Sequence, residues 1–201
     1  KHFVSKEAFN IDGLGKKIIE GFWKSKFIKY PQDIFKLDYN KIEKLEGWGK
    51  LSVENLKYSI NQKKNISLER FIFALGIRHI GLENARLLSK NFKSFSNFKN
   101  LSKTKKYDDL FNIDGIGETQ IKSIKFFMKN EINIKVLNEL SKVLVIKNYV
   151  ENKKEGLLKD KSFLVTGKLN GISRAEVKSL IEENSGKTIS SVSKNLNFLI
   201  I

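Results

Sequence analysis

A mostly α-helical fold followed by a short α/β segment is what this 201-residue sequence predicts, on three observations. A two-glycine turn recurs at a near-constant interval. Apolar residues flank each turn at helical spacing, and beyond residue 161 the apolar pattern shortens to strand-like runs. The turns are DGLG at 12–15, EGWG at 46–49, RHIG at 78–81 and DGIG at 114–117. Their final glycines, Gly15, Gly49, Gly81 and Gly117, stand 34, 32 and 36 residues apart. An interval of that size is one supersecondary unit per repeat.

The flanks justify the helices in turn. After Gly15, Ile18, Ile19 and Phe22 share a helical face. Ile42 and Leu45 follow Asp38 into the second turn, and Val53 comes four residues after Gly49. Leu68, Phe71, Ile72 and Leu75 follow Ser67, a candidate N-cap, into the third turn. Leu82, Ala85 and Leu88 follow Gly81, and Ile121, Ile124 and Phe127 follow Gly117. A hydrophobe (Ile11, Leu45, Ile77, Ile113) precedes each turn, and the single proline is Pro31, so glycine pairs alone interrupt these helices. Residues 1–146 are expected to form one domain of four helix–turn–helix units.

The first glycine of each turn stops a helix by taking φ > 0. That reason does not extend to the second, because glycine at the start of the next helix lowers helix propensity. It makes sense where a foreign backbone must come close. A turn without side chains, opening into a helix N-terminus, points N–H groups outward at the positive end of the helix dipole, which suits a phosphate. The candidate donors are Gly13, Gly15, Gly47, Gly49, Gly81, Gly115 and Gly117, with Lys16, Lys50 and Arg78 supplying charge. His79 is read as a turn residue or phosphate contact rather than a catalyst. Asp12 and Asp114 are expected to hydrogen-bond local N–H groups and so serve the turn. Glu118 follows the fourth turn, with Lys122 a helical turn later, so that hairpin is expected to grip phosphate more weakly or mainly to close the architecture.

Composition fits a polyanionic partner: 38 basic against 22 acidic residues leave a net charge of +16. A membrane surface would need a concentrated basic amphipathic helix, whereas these lysines are spread along the chain. No cysteine is present, which excludes disulfides and thiolate metal sites, and His2 and His79 are too few for a metal cluster. The longest apolar run, FIFALGI at 71–77, is far short of a membrane span, and no secretory signal opens the chain. A soluble, cytoplasmic protein is the default. The chain opens on Lys1 and closes inside the apolar run NFLII, so it reads as part of something longer.

From 147 to 161, KNYVENKKEGLLKDK, the pattern lapses into a charged linker. SFLVTG at 162–167 then suits a buried strand. A helix over 173–186 follows, with Ser173 and Glu176 as a capping box, Val177, Leu180 and Ile181 as its apolar face, and Gly186 as its stop. NFLII at 197–201 is a second strand. Strand, helix and strand make the front half of a small parallel α/β domain over 162–201. Thr166 and Gly167, between strand and helix, are candidates for a phosphate contact, or form a turn satisfying its own backbone. A parallel sheet lacking its remaining strands has an unpaired edge, so residues 187–201 are expected to be disordered or to pair with a neighbour.

With these pieces placed, the chain resembles the C-terminal region of the bacterial NAD-dependent DNA ligase family. The residues that carry the likeness are KHFVSKEAFNIDGLGKKII at the start, LEGWGKLSVENL at 45–56, FALGIRHIGLENA at 73–85 and IDGIGETQI at 113–121. FLVTGKLNGISRAEVKSLIEENSGK at 163–187 and SVSKNLNFLI at 191–200 are similar to the start of the family's BRCT domain. The resemblance implies four tandem helix-hairpin-helix motifs followed by a partial BRCT domain. It implies a parent enzyme that seals nicks in duplex DNA in replication and repair: NAD donates AMP to an enzyme lysine, AMP passes to the 5′ phosphate, and the 3′ hydroxyl attacks. The family's K-x-D-G lysine, OB-fold and four-cysteine zinc finger are not in this sequence. KYDD at 106–109 has aspartate where that motif has glycine. No catalytic residue, and no bound NAD, magnesium or zinc, is therefore expected here. Lys6 departs from the arginine usual after HFVS, and the BRCT-like part stops before the region where phosphopeptide-binding relatives place a lysine. The implied role is sequence-independent backbone binding to nicked duplex DNA, with a weak protein partner through the BRCT part. The competing readings are a protein-interaction scaffold and a tandem-hairpin domain of another repair protein.

Overall fold

The computed structural model describes residues 1–150, 156–167, 169–193 and 196–201. They divide into two compact units, Lys1–Tyr149 and Val150–Ile201.

The first unit holds α1 (Lys16–Lys24), α2 (Tyr39–Ile42), α3 (Lys50–Gln62), α4 (Leu68–Ala74), α5 (Leu82–Phe92), α6 (Phe95–Thr104), α7 (Glu118–Lys129) and α8 (Glu131–Val143). Short 3-10 turns lie at His2–Val4, Pro31–Lys36 and Asp108–Asn112. Polar side-chain caps start α2, α6 and α8. Asp38 accepts from the Lys41 N–H, Ser94 from Asn97, and Asn130 from Ile132 and Asn133. The Arg70 guanidinium donates to the Ala8 carbonyl, tying the segment before the first turn to α4.

The repeat is written into the core. The fourth residue after each second glycine (Ile19, Val53, Ala85, Ile121) is buried, and so is the seventh (Phe22, Leu56, Leu88, Ile124). These are the inward positions of a helix of 3.6 residues per turn, and each large side chain buried there contributes about 1.5–3 kcal/mol. Leu14, Ile80 and Ile116, the hydrophobes between paired turn positions, are buried too, while Trp48 is half-buried.

Two strands join regions far apart in sequence. β1 (Asn65–Ser67) and β2 (Val145–Lys147) pair in parallel, with Ile66 opposite Ile146. Ser67 thus ends a strand. It is also the N-cap residue of α4, as expected, but its hydroxyl caps no N–H and is buried without a partner among the described residues. The stretch expected as a linker is divided. Lys147 lies in β2, and the Tyr149 N–H donates to the Lys93 carbonyl at 2.8 Å. Gly156 and Leu158 belong to the second unit, through Ser185 Oγ and the Asn184 carbonyl. Residues 151–155 lie outside the described residues.

The second unit contains β3 (Ser162–Val165), α9 (Arg174–Glu183), β4 (Lys187–Thr188) and β5 (Phe198–Ile200). The sheet order is β4-β3-β5, with both neighbours parallel to β3. Phe163, Val165 and Ile181 form its core, against Leu158, Leu169, Val177 and Ile200. The Ser173–Glu176 capping box forms in both directions, at 3.1 and 2.9 Å.

Three expectations are corrected here. Leu180 is half exposed rather than part of the apolar face. The left-handed residue that ends α9 is Ser185, at φ +66°. Gly186 is needed for space instead: a Cβ there would meet Ile181 Cγ2 at 2.7 Å. The described part of 187–201 is ordered within the unit, because β4 and β5 pair on opposite sides of β3 and Asn197 Oδ1 accepts from both the N–H and the hydroxyl of Ser162.

Candidate nucleic-acid interface

Each hairpin closes by the same backbone bond, from the residue between paired positions to the hydrophobe before the turn. The distances are 3.3 Å (Leu14 to Ile11), 3.0 Å (Trp48 to Leu45), 3.0 Å (Ile80 to Ile77) and 3.0 Å (Ile116 to Ile113). The residue before each donor takes φ > 0, as such turns require: Gly13 at +82°, Gly47 at +78°, His79 at +62° and Gly115 at +86°. Only His79 pays the steric cost of about 1–2 kcal/mol, and its carbonyl is held by Asn84 Nδ2 at 3.0 Å. Among the described residues the carboxylates of Asp12 and Asp114 bond no local N–H. The backbone closes these turns unaided, which corrects the role expected of them.

The second glycines answer to a different demand. Gly15, Gly49, Gly81 and Gly117 are extended N-caps of α1, α3, α5 and α7, a conformation open to any residue. A Cβ on Gly15, Gly49 or Gly81 would meet nothing within 4 Å, and one on Gly117 only Gln120 Oε1 at 3.4 Å. The fold therefore does not require glycine at the first three. What glycine does provide is an exposed helix start whose first N–H groups have no side-chain oxygen from the cap.

The four starts differ in a way the sequence reading missed. The Gly49 N–H donates to Ser52 Oγ at 2.9 Å, and the Gly117 N–H to Gln120 Oε1 at 3.2 Å. The equivalent residues in the first and third hairpins are Ile18, which has no acceptor, and Asn84, whose amide turns to His79. Among the described residues the Gly15 and Gly81 N–H groups have no acceptor. The signal was legible: it is the third residue after the second glycine.

The hairpins also pair. The Phe22 ring of α1 lies 5.4 Å from Trp48 of the second turn, while a Cβ on Gly13 of the first turn would sit 3.6 Å from Leu56 of α3. Each of the two turns thus touches the seventh residue of its partner's helix. The fourth turn reaches α5 likewise, a Cβ on Gly115 meeting Leu87 Cδ1 at 2.8 Å.

Charge follows the turns unevenly. Lys16, Lys17 and Lys50 are exposed, and exposed Arg78 has no ion pair or hydrogen bond among the described residues. Lys122 is ion-paired with Glu118 at 2.6 Å, which holds that carboxyl below its usual range. In the second unit the Thr166 N–H is committed to the Ile200 carbonyl, and the Gly167 carbonyl accepts from Arg174 Nε and Nη2. Thr166 and Gly167 are both exposed residues. Among the described residues no group of three or more His, Cys, Asp or Glu is placed to hold a metal, and no helix is long and apolar enough to cross a membrane.

Comparison with known proteins agrees with this architecture. Residues 70–137 match the helix-hairpin-helix motif and residues 153–201 the BRCA1 C Terminus (BRCT) domain. A DNA ligase of Pelagibacter ubique (strain HTCC1062) is 66% identical over 200 residues, covering 100% of this chain and 30% of the relative. DNA ligases of Rickettsia bellii (strain RML369-C) and Rickettsia rickettsii (strain Sheila Smith) are 42% and 41% identical over 212 residues, covering 100% of this chain and 31% of each relative. The chain thus spans about 30% of the length of the relatives it matches. From end to end, it corresponds to the helix-hairpin-helix and BRCT region of a bacterial DNA ligase.

Proposed function

We propose that this chain is the duplex-binding, non-catalytic C-terminal part of an NAD-dependent DNA ligase that seals nicks in replication and repair. Its hairpins hold the sugar–phosphate backbone of both strands near the nick, without reading sequence, since phosphates carry no base identity. NAD, magnesium and zinc act through residues outside this chain, and the parent enzyme works in the cytoplasm. The observation that carries the reading is the set of second glycines: three stand where a side chain would meet nothing of the protein, each at an exposed helix start. An internal packing role would leave a neighbour in that space. The net charge of +16 and the unpaired Arg78 support the same partner.

The test is fluorescence anisotropy of the chain on a nicked duplex across salt concentration. With about six phosphates neutralised, affinity falls on the order of a thousandfold between 50 and 200 mM salt, and scrambling the sequence changes it little. A flat salt response refutes the reading. A protein-interaction scaffold would instead leave DNA binding unchanged in Gly49→Glu and Arg78→Glu while losing a bound protein. On the full-length enzyme, adenylation by labelled NAD tests the parent activity. Exposed Thr166 and Gly167, whose hydroxyl and N–H have no partner among the described residues, would make the phosphate contact of a weak protein partner at the BRCT part.

A further inference from the structure

The third turn departs from the other three. It carries Arg78 and His79 where they carry an acidic residue and glycine, and it keeps a histidine in a backbone conformation that glycine adopts freely. Strain retained where the simplest substitution would remove it points to a use for the side chain. Beside this turn lies an open groove of about 750 Å³, between the turn and α7, a volume in the range of small-ligand sites. Arg78, His79 and Lys122 line it together with Thr119 and Phe126, and no carboxylate does. The inward face of α7 is Ile121, Ile124 and Met128. Phe126 lies off that face and is 78% exposed, so the core does not account for it.

We propose that this groove takes an unpaired nucleotide adjoining the bound duplex, with its base stacked on Phe126 and its phosphate held by Arg78. The inference rests on the duplex-binding reading and adds a second substrate element to it. Exposed rings set among cations are how proteins hold single strands, because every base has a π-face. A paired base inside a duplex shows only its edges, so Phe126 has nothing to stack on until a nucleotide leaves the stack. Arg78, the lining cation that no carboxylate neutralises among the described residues, favours a strand bearing a phosphate over an apolar or basic peptide.

The experiment compares three DNAs with the 201-residue chain: a continuous duplex, the same duplex with a one-nucleotide flap at a nick, and the nicked duplex without the flap. The flap base is 2-aminopurine, whose fluorescence is quenched on stacking. The wild type is expected to bind the flapped DNA about tenfold tighter than the nicked one, within what one stacked base supplies, and to quench the probe. Phe126→Ala abolishes the preference and the quenching while leaving continuous-duplex affinity within about twofold. Phe126→Trp keeps both. Equal binding of flapped and nicked DNA by the wild type, or a Phe126→Ala loss shared equally by all three DNAs, overturns the site and leaves the duplex reading standing. Failure to bind any of the three DNAs overturns both.

Discussion

Replacing Gly81 by alanine adds a methyl group where the protein has nothing within 4 Å, on a residue whose φ of −81° and ψ of −176° suit any amino acid. The folded state loses little. Alanine caps a helix less well than glycine by about 0.5–1 kcal/mol, a fall of about 1–4 °C in Tm for a unit this size. Binding loses more, because the methyl occupies the space through which a phosphate oxygen reaches the Gly81 N–H. A hydrogen bond to a charged acceptor contributes about 1.5–3 kcal/mol, so the Kd rises about 10- to 150-fold. The amide is uncharged, so the loss is the same at 50 and 200 mM salt and the salt slope is unchanged. Anisotropy on a nicked duplex measures both quantities, with circular dichroism reporting the fold. An affinity within twofold of wild type, in a protein that remains folded, would refute the claim that phosphate approaches the second glycines.

Three further outcomes follow from the same geometry. Lys16→Gln removes an exposed cation beside the first turn, and the slope of log affinity against log salt falls by about 0.9; an unchanged slope means Lys16 meets no phosphate. Gly115→Ala forces a side chain into φ +86° with its Cβ 2.8 Å from Leu87 Cδ1, a loss of about 1–2 kcal/mol in chemical denaturation that an unaltered midpoint would contradict. Lys142 and Lys36 hold the Glu139 carboxyl down to about 2. Its contribution to stability is therefore present above the ordinary value of 4.5 and lost as pH falls towards about 2. The denaturation difference between wild type and Glu139→Gln closes over that window, and a difference persisting below it would show that the ion pairs are not its source.

The helical unit was legible wherever a residue type served both pattern and backbone. Glycine marked three of the four left-handed turn positions, and the apolar residues four and seven places after each second glycine filled the core as spaced. His79 kept the third turn recognisable only because its flanks, Ile77, Ile80 and Gly81, still fit the repeat. The β1–β2 pair was not legible. Each strand is three residues long, and the partners lie about 80 residues apart, so neither run is long enough for an alternating pattern to show. Ser67 was legible as the N-cap of α4 but not as the end of a strand, since the two share one extended conformation. At the candidate site the helix starts were readable from glycine alone, but the division among the described residues between amides without an acceptor and internally satisfied ones depends on Ser52 and Gln120 reaching back across a helix start. The helical spacing of Ile121, Ile124 and Phe127 already left Phe126 off the apolar face, but the groove itself had no sequence signal, because it forms only where the third turn lies beside α7.

The reciprocal contact between the first two hairpins explains why the interval matters beyond spacing. Phe22 and Leu56 occupy equivalent places in successive repeats, and each reaches the other repeat's turn. A contact in which equivalent surfaces exchange places is that of a two-fold relation. The two strands of a duplex are themselves antiparallel, so a hairpin pair with this relation offers one turn to each strand without a separate device for either. Within the pair the first start has its amide free and the second has it satisfied by Ser52. The third and fourth repeat the same alternation, with Gln120 in the satisfying role. On the proposed duplex-binding reading, the grip on the two strands is therefore unequal, and the placing of the turns is set by the residues that build the core. A substitution at Leu56 that shrinks the side chain removes support from Gly13 as well as from α3, so stability and the placing of the first turn change together.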